Sequence, residues 1–186
     1  MKTRSLILLV AVIVTLAGCG TNAHYIQTGG RESVVSINQI NIQDFITAAN
    51  SATSDLLSSG ALDRVQHPPA ILAMSRIVNN TGQQIDTDLL TKKIRVALLQ
   101  SGKAVTTTTF GLGSPEDPLA PSIQRQPTQL PDFTLSGKII ETLVKAGSTS
   151  QSTYSFQLSL TDQRGLAVWE GDKDITKQGT RSSVGF

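Results

Sequence analysis

Apolar positions recur every third and fourth residue from Ile42 to Ser59: Ile42, Phe45, Ile46, Ala49, Ala52, Leu56 and Leu57. That spacing predicts an amphipathic helix with Gln43, Asp44, Thr47, Asn50, Ser51, Ser54 and Asp55 on its wet side. Asn41 is placed to cap the start and Gly60 to turn left-handed at the end. Pro68-Pro69 then opens an extended run, Ala70-Ile71-Leu72-Ala73-Met74, that is apolar throughout. A short apolar run bounded by prolines and by the turn residues Asn79-Asn80-Thr81-Gly82 predicts a central strand buried on both faces. A second helix is predicted from Asp86 or Thr87 to about Ser101, with Leu89, Leu90, Ile94, Ala97 and Leu98 inward. Lys92, Lys93 and Arg95 form a basic cluster on its outer side, and Gly102 ends it. Lys103 to Thr108 reads as an edge strand.

Five prolines between Phe110 and Asp132 argue against regular structure there. The alternation after that loop is the clearest period-two pattern in the chain. Phe133, Leu135, Gly137 and Ile139, with Glu141 next in the row, oppose Thr134, Ser136, Lys138, Ile140 and Thr142. Past a turn near Gly147, Tyr154, Phe156, Leu158 and Leu160 alternate with Ser155, Gln157, Ser159 and Thr161. Asp162-Gln163-Arg164-Gly165 predicts a hairpin turn, and Leu166 to Ile175 the returning strand. The glycine- and serine-rich tail from Lys177 to Phe186 is expected to be loosely held. One sheet face is apolar and the other rich in serine and threonine. The expected fold is therefore α+β: a two-layer sandwich of two helices on one face of a mixed four- to five-stranded sheet. The helix between the first two strands allows them to run parallel.

The amino terminus is different in kind. Lys2 and Arg4 precede an apolar run from Leu6 to Leu16 and then Ala17-Gly18-Cys19. A basic start, an apolar middle and small residues before a cut mark a secretory signal. The apolar run, about 11 residues, is shorter than the roughly 20 needed to span a bilayer. Leu16-Ala17-Gly18-Cys19 resembles a bacterial lipobox, which implies cleavage after residue 18 and fatty acylation (palmitate among others) of Cys19 and its new amino terminus. Three acyl chains, at about 0.8 kcal/mol per buried methylene, make a nearly permanent anchor. Gly20, rather than aspartate, follows the cysteine, which by the same resemblance implies sorting to the outer membrane, facing the periplasm. Residues 19–41 then read as a flexible tether, with Val34 to Ile37 a candidate short strand, and residues 42–186 as the globular domain. A tether of about 22 residues spans roughly 26 Å as coil and at most about 75 Å when straight. Cys19 is the only cysteine, so no disulfide is available.

Composition narrows the chemistry. Losing Lys2 and Arg4 takes the basic count from 16 to 14, against 14 acidic residues, so no electrostatic footprint for nucleic acid is left. His24 and His67 have no second metal-ligating residue at suitable spacing, so neither metal nor cofactor is expected. No G-x-S-x-G occurs, and Gly111-Leu112-Gly113 lacks the strand-to-helix setting of a phosphate loop. Glu170, Asp172 and Asp174 alternate along one strand and read as a solvated edge. Asn79-Asn80-Thr81 matches a glycosylation sequon but reads as a turn. Nothing here points to an enzyme.

Six segments carry a family likeness: Arg76 to Thr81, Asp88 to Leu99, Ser101 to Val105, Leu135 to Ile140, Tyr154 to Asp162 and Val168 to Gly171. Over roughly residues 42–186 they resemble the LpoB-type lipoproteins, activators of penicillin-binding proteins. The resemblance implies a fold similar to the amino-terminal domain of TolB. It also implies docking onto a bifunctional inner-membrane peptidoglycan synthase to stimulate glycan polymerisation, a role in cell-envelope growth and cell shape. The alternative is an envelope-assembly or secretion-linked structural lipoprotein of the same fold with a different partner. No individual partner-contacting residue follows from the likeness.

Overall fold

Helix α1 (Ile42–Ser58) forms where the apolar stripe begins, and the Asp44 carboxylate accepts the Asn41 N–H at 3.2 Å to close its first turn. A computed structural model describes residues 25–27, 30, 40–107 and 130–180. The chain divides into two compact units, residues 1–33 and 34–186. In the first, the Gly30 N–H bonds the Gln27 carbonyl at 2.9 Å; the signal segment, Cys19, the candidate strand at Val34 to Ile37, residues 108–129 of the proline-rich loop and the last six residues lie outside the described residues.

The second unit holds the fold. Phe45, Ala49, Ala52 and Leu56 of α1 are fully buried. Burial of Phe45 and Leu56 contributes about 2–3 kcal/mol each, and the alanines let the helix lie close to its neighbours. Thr53, also buried, bonds its hydroxyl to the Ala49 carbonyl at 2.7 Å, so burial leaves no polar group unsatisfied there. Gly60 takes φ 74°, a left-handed conformation that only glycine adopts cheaply. A 3-10 turn (Ala61–Arg64) follows.

Strand β1 spans Ala70–Asn80, helix α2 Thr87–Gln100, and strand β2 Ala104–Thr106. Strands β3 (Phe133–Ala146), β4 (Thr149–Asp162) and β5 (Ala167–Thr180) have 14 residues each. The sheet order is β2-β1-β3-β4-β5. Strand β1 is parallel to both β2 and β3, whereas β3, β4 and β5 form an antiparallel meander. Helix α1 covers β4 and β5, α2 covers β1 and β2, and the helices touch each other. The fold is the expected α+β two-layer arrangement.

Four details depart from the sequence pattern. Strand β1 continues past Met74 to Asn80 through a bulge. Pairing jumps from Met74 opposite Leu135 to Ile77 opposite Gly137, so Ser75 and Arg76 together face Ser136. The extra residue keeps Ile77 on the helix side although strict alternation would turn it away. Second, α2 buries Leu90, Ile94 and Leu98 as expected but takes Thr91, 1% exposed, in place of Leu89, 36% exposed. Thr91 is tolerated inside because its hydroxyl bonds the Thr87 carbonyl at 2.8 Å. Third, Lys177 to Thr180 are paired with Thr149 to Ser152 as the end of β5. Hydroxyl pairs Thr153–Thr176 at 3.0 Å and Thr149–Thr180 at 3.3 Å support this polar extension, which carries no apolar signal. Fourth, Asp132, the last residue of the proline-rich segment, is held on β1: its carboxylate accepts the Ile71 N–H and its N–H bonds the Ile71 carbonyl, both at 2.8 Å.

Candidate functional site

His67 is exposed on the loop before β1, and among the described residues no group of three His, Cys, Asp or Glu side chains could hold a metal. Among the same residues no helix is long and apolar enough to cross a membrane. His24 and Cys19 lie outside them.

What the fold does assemble is a polar groove on the sheet face turned away from the helices. Alternation sends Ser136 and Lys138 of β3, Gln157 and Ser159 of β4, and Glu170 and Asp172 of β5 to this one face, around a depression of about 640 Å³. Pairing places Val78, Lys138, Gln157 and Asp172 in one row across four strands, and Ser136, Ser159 and Glu170 in the next. The β1 bulge lies opposite Ser136, at the rim of the groove, where the extra residue bends the strand. Gly137 sits within the groove wall. A Cβ there would lie 2.8 Å from Leu158 Cδ2 and 3.0 Å from the Gln157 carbonyl oxygen, so the close approach of β3 to β4 requires glycine.

The charges in the groove are unequally engaged. Ser159 donates to Glu170 at 3.4 Å, and Ser155 donates to Asp174 just beyond the groove. Lys138 and Asp172 are both exposed, and among the described residues neither has a hydrogen bond or an ion pair. Every other acidic side chain among those residues has one. Adjacent strands lie about 4.8 Å apart, so Lys138 and Asp172, separated by β4, stand roughly 10 Å from each other and cannot neutralise one another at contact. The three carboxylates expected on a solvated edge are on the edge strand as read, with Glu170 and Asp172 turned into the groove.

The outer side of α2 is the second candidate surface. Lys92 and Lys93 are exposed as expected, beside Leu89, Val96 and Leu99, which are 36–46% exposed. Arg95 does not share their setting: it is half-buried, and its Nε and Nη2 are inaccessible and unbonded.

A family model described as the peptidoglycan-synthase activator LpoB matches residues 44–114 and 122–175. The chain belongs to the LpoB family. The two matched stretches run from the first turn of α1 to Ile175 of β5 and so include every residue that lines the groove. Among solved structures, the chain is similar to the LpoB C-terminal domain from Salmonella enterica, at 18% identity and a TM-score of 0.45 over 71% of this chain and 98% of that one. It is similar to the LpoB C-terminal domain from Escherichia coli, at 16% identity and a TM-score of 0.43 over 68% of this chain and 97% of that one. A lipoprotein from Neisseria meningitidis matches at 18% identity and a TM-score of 0.41, over 62% of this chain and 88% of that one. No curated protein matches.

One further feature of this LpoB-family chain is a polar junction just before α1. The Gln83 side chain accepts the Ile40 N–H at 3.0 Å and donates to the Ile40 carbonyl at 2.7 Å, gripping both backbone groups of one residue. The Gln83 carbonyl is in turn held by Asn79 Nδ2 at 2.8 Å and by the Thr81 hydroxyl at 3.0 Å. Beside them Glu141 accepts the Gly82 N–H at 2.7 Å and the Tyr154 hydroxyl at 2.8 Å. Burial, reinforced by the hydrogen bond and the negative charge of Glu141, pushes the Tyr154 hydroxyl up to about 12. Asn79-Asn80-Thr81, which resembles a sequon, is thus used as the turn that builds this junction.

Proposed function

We propose that this chain is an outer-membrane lipoprotein, facing the periplasm, that binds a peptidoglycan synthase and activates it by protein–protein contact. The match to the LpoB activator family over residues 44–114 and 122–175 carries this reading. Residues 1–18 serve as the signal peptide, Cys19 takes the lipid, residues 19–41 form the tether, and the domain from residue 42 makes the contact. Catalysis belongs to the partner, and the chain needs neither metal nor cofactor.

The full-length chain in detergent, added to a purified bifunctional synthase of the same cell, is expected to raise the rate of glycan-strand synthesis several-fold. Absence of both binding and stimulation with every such synthase would end the proposal. Cys19→Ser tests the anchor separately. It is expected to abolish fatty-acid incorporation and membrane fractionation while leaving the circular dichroism of the protein unchanged. A Cys19→Ser chain that still fractionates with the outer membrane would refute the anchor and leave the activator reading standing.

A further inference from the structure

The groove carries an ordered polarity. Going across the sheet along one row, an exposed apolar side chain (Val78, 53% exposed) is followed by an ammonium (Lys138), an amide (Gln157) and a carboxylate (Asp172). A second carboxylate, Glu170, lies beside the last of these, and the hydroxyls of Ser136 and Ser159 lie between the charges in the next row. A merely solvated face has no reason to leave Asp172 as the one acidic side chain among the described residues without a partner, across the groove from an unpaired ammonium. Free charges of opposite sign about 10 Å apart, with neutral donors and acceptors between them, complement a ligand with the reverse sequence of groups: anion, amide, cation.

We infer that the groove seats an extended segment of the partner protein, which presents an acidic side chain to Lys138 and a basic side chain to Asp172 and Glu170. An extended chain advances about 3.3 Å per residue, so 10 Å corresponds to about three residues, and same-side positions two or four apart bring flexible side chains into reach. The backbone amides of that segment meet Gln157 and the two serine hydroxyls. Reversing the segment sets like charges against each other, so the groove selects one direction of binding as well as one composition. This inference rests on the reading of the chain as a protein-binding activator; it adds where the contact is made and with what chemistry.

The test uses the full-length chain in detergent and a purified bifunctional synthase from the same cell, with affinity read by biolayer interferometry. Lys138→Glu and Asp172→Lys are each expected to weaken binding at least tenfold. The double variant Lys138→Glu/Asp172→Lys keeps the net charge of the wild type but inverts the polarity of the groove, and is expected to remain at least tenfold weak. Lys93→Glu on the outer side of α2 is expected to stay within twofold. All three exposed positions are expected to leave the melting temperature unchanged, which separates lost contact from lost fold. Wild-type binding with both single groove variants within twofold overturns the inference and leaves the activator reading intact. Recovery of wild-type affinity in the double variant overturns it as well, because net charge alone would then account for the losses. A wild-type chain that binds none of the synthases overturns the activator reading and this inference with it.

Discussion

Tyr154→Phe probes the junction at a single atom. Tyr154 is 1% exposed, its ring stands edge-on to Phe45 at 5.7 Å and 82°, and its hydroxyl donates to Glu141 at 2.8 Å. Phenylalanine preserves the ring contact and removes only the hydroxyl. A hydrogen bond to a charged acceptor contributes roughly 1.5–3 kcal/mol, but Glu141 is half-exposed and keeps its bond to Gly82, so water compensates in part and the cost at neutral pH should be about 1–1.5 kcal/mol. The alkaline limb adds a second signature. The hydroxyl titrates near 10.0 in the unfolded chain and near 12 when folded. A raised folded value means the stabilisation is fully present below pH 10 and is lost as pH rises towards 12, by about 2.7 kcal/mol in total at 1.36 kcal/mol per unit. Phenylalanine has nothing to titrate. Wild type should therefore be the more stable protein at pH 7, the two should cross at roughly pH 11, and the variant should lead above pH 12. Urea unfolding followed by Trp169 fluorescence across this range measures the difference, and subtracting the two curves removes the lysines that titrate in both. A difference that stays constant from pH 7 to pH 12 would refute the assigned burial and hydrogen bond.

The remaining predictions address other links between residue and structure. Gly137→Ala forces a methyl against Leu158 Cδ2 at 2.8 Å and against a backbone carbonyl that has little room to move, so it should cost about 2 kcal/mol in urea unfolding. Leu90→Ala, at a fully buried site, should cost about 3 kcal/mol, whereas Leu89→Ala should cost under about 1 kcal/mol; equal losses would mean that α2 presents the other face. Gln83→Ala removes both bonds to Ile40, should cost about 2 kcal/mol, and should raise the rate of limited proteolysis near residue 40 by about tenfold or more while the rest of the domain stays protected.

Much of this fold is legible because it rests on local period. The three-and-four spacing finds α1 to within one residue at its end, and the alternation of the meander places Tyr154, Phe156, Leu158 and Leu160 on the buried side, where they are. The losses occur where a neighbour decides. The β1 bulge exists only in relation to Ser136, so no pattern within Ala70 to Asn80 announces it. Thr91 is buried in place of Leu89 because its hydroxyl can be satisfied within the helix, an option that a count of apolar residues does not register. Lys177 to Thr180 lack apolar side chains but are paired because β4 continues beside them. The groove illustrates the same limit. Each of its charged residues stands in the sequence as an ordinary wet position, and only the register across β3, β4 and β5 brings residues 138, 157 and 172 into line.

The charges along β5 also act at the edge of the sheet. Among the described residues strand β5 ends the sheet order and its 14 residues pair on one side only, an invitation to antiparallel self-pairing. In any register that keeps the helices of both copies on one side, odd positions must oppose odd and even oppose even. Centring the pair on Asp174 then sets that carboxylate against its own copy. Centring it on Lys173 opposes the two lysines and sets Asp172 against Asp174. A centre at Ile175 opposes Lys173 to Lys177. Like charges directly opposite are destabilising, so the same alternation of acid and base along β5 that furnishes the groove also disfavours pairing of this edge with another copy. A strand built only for solubility could achieve this with lysines alone. Having carboxylates on the open face and lysines on the helix face instead leaves Asp172 and Glu170 across the groove from Lys138, where charge protects the edge and gives the groove its direction.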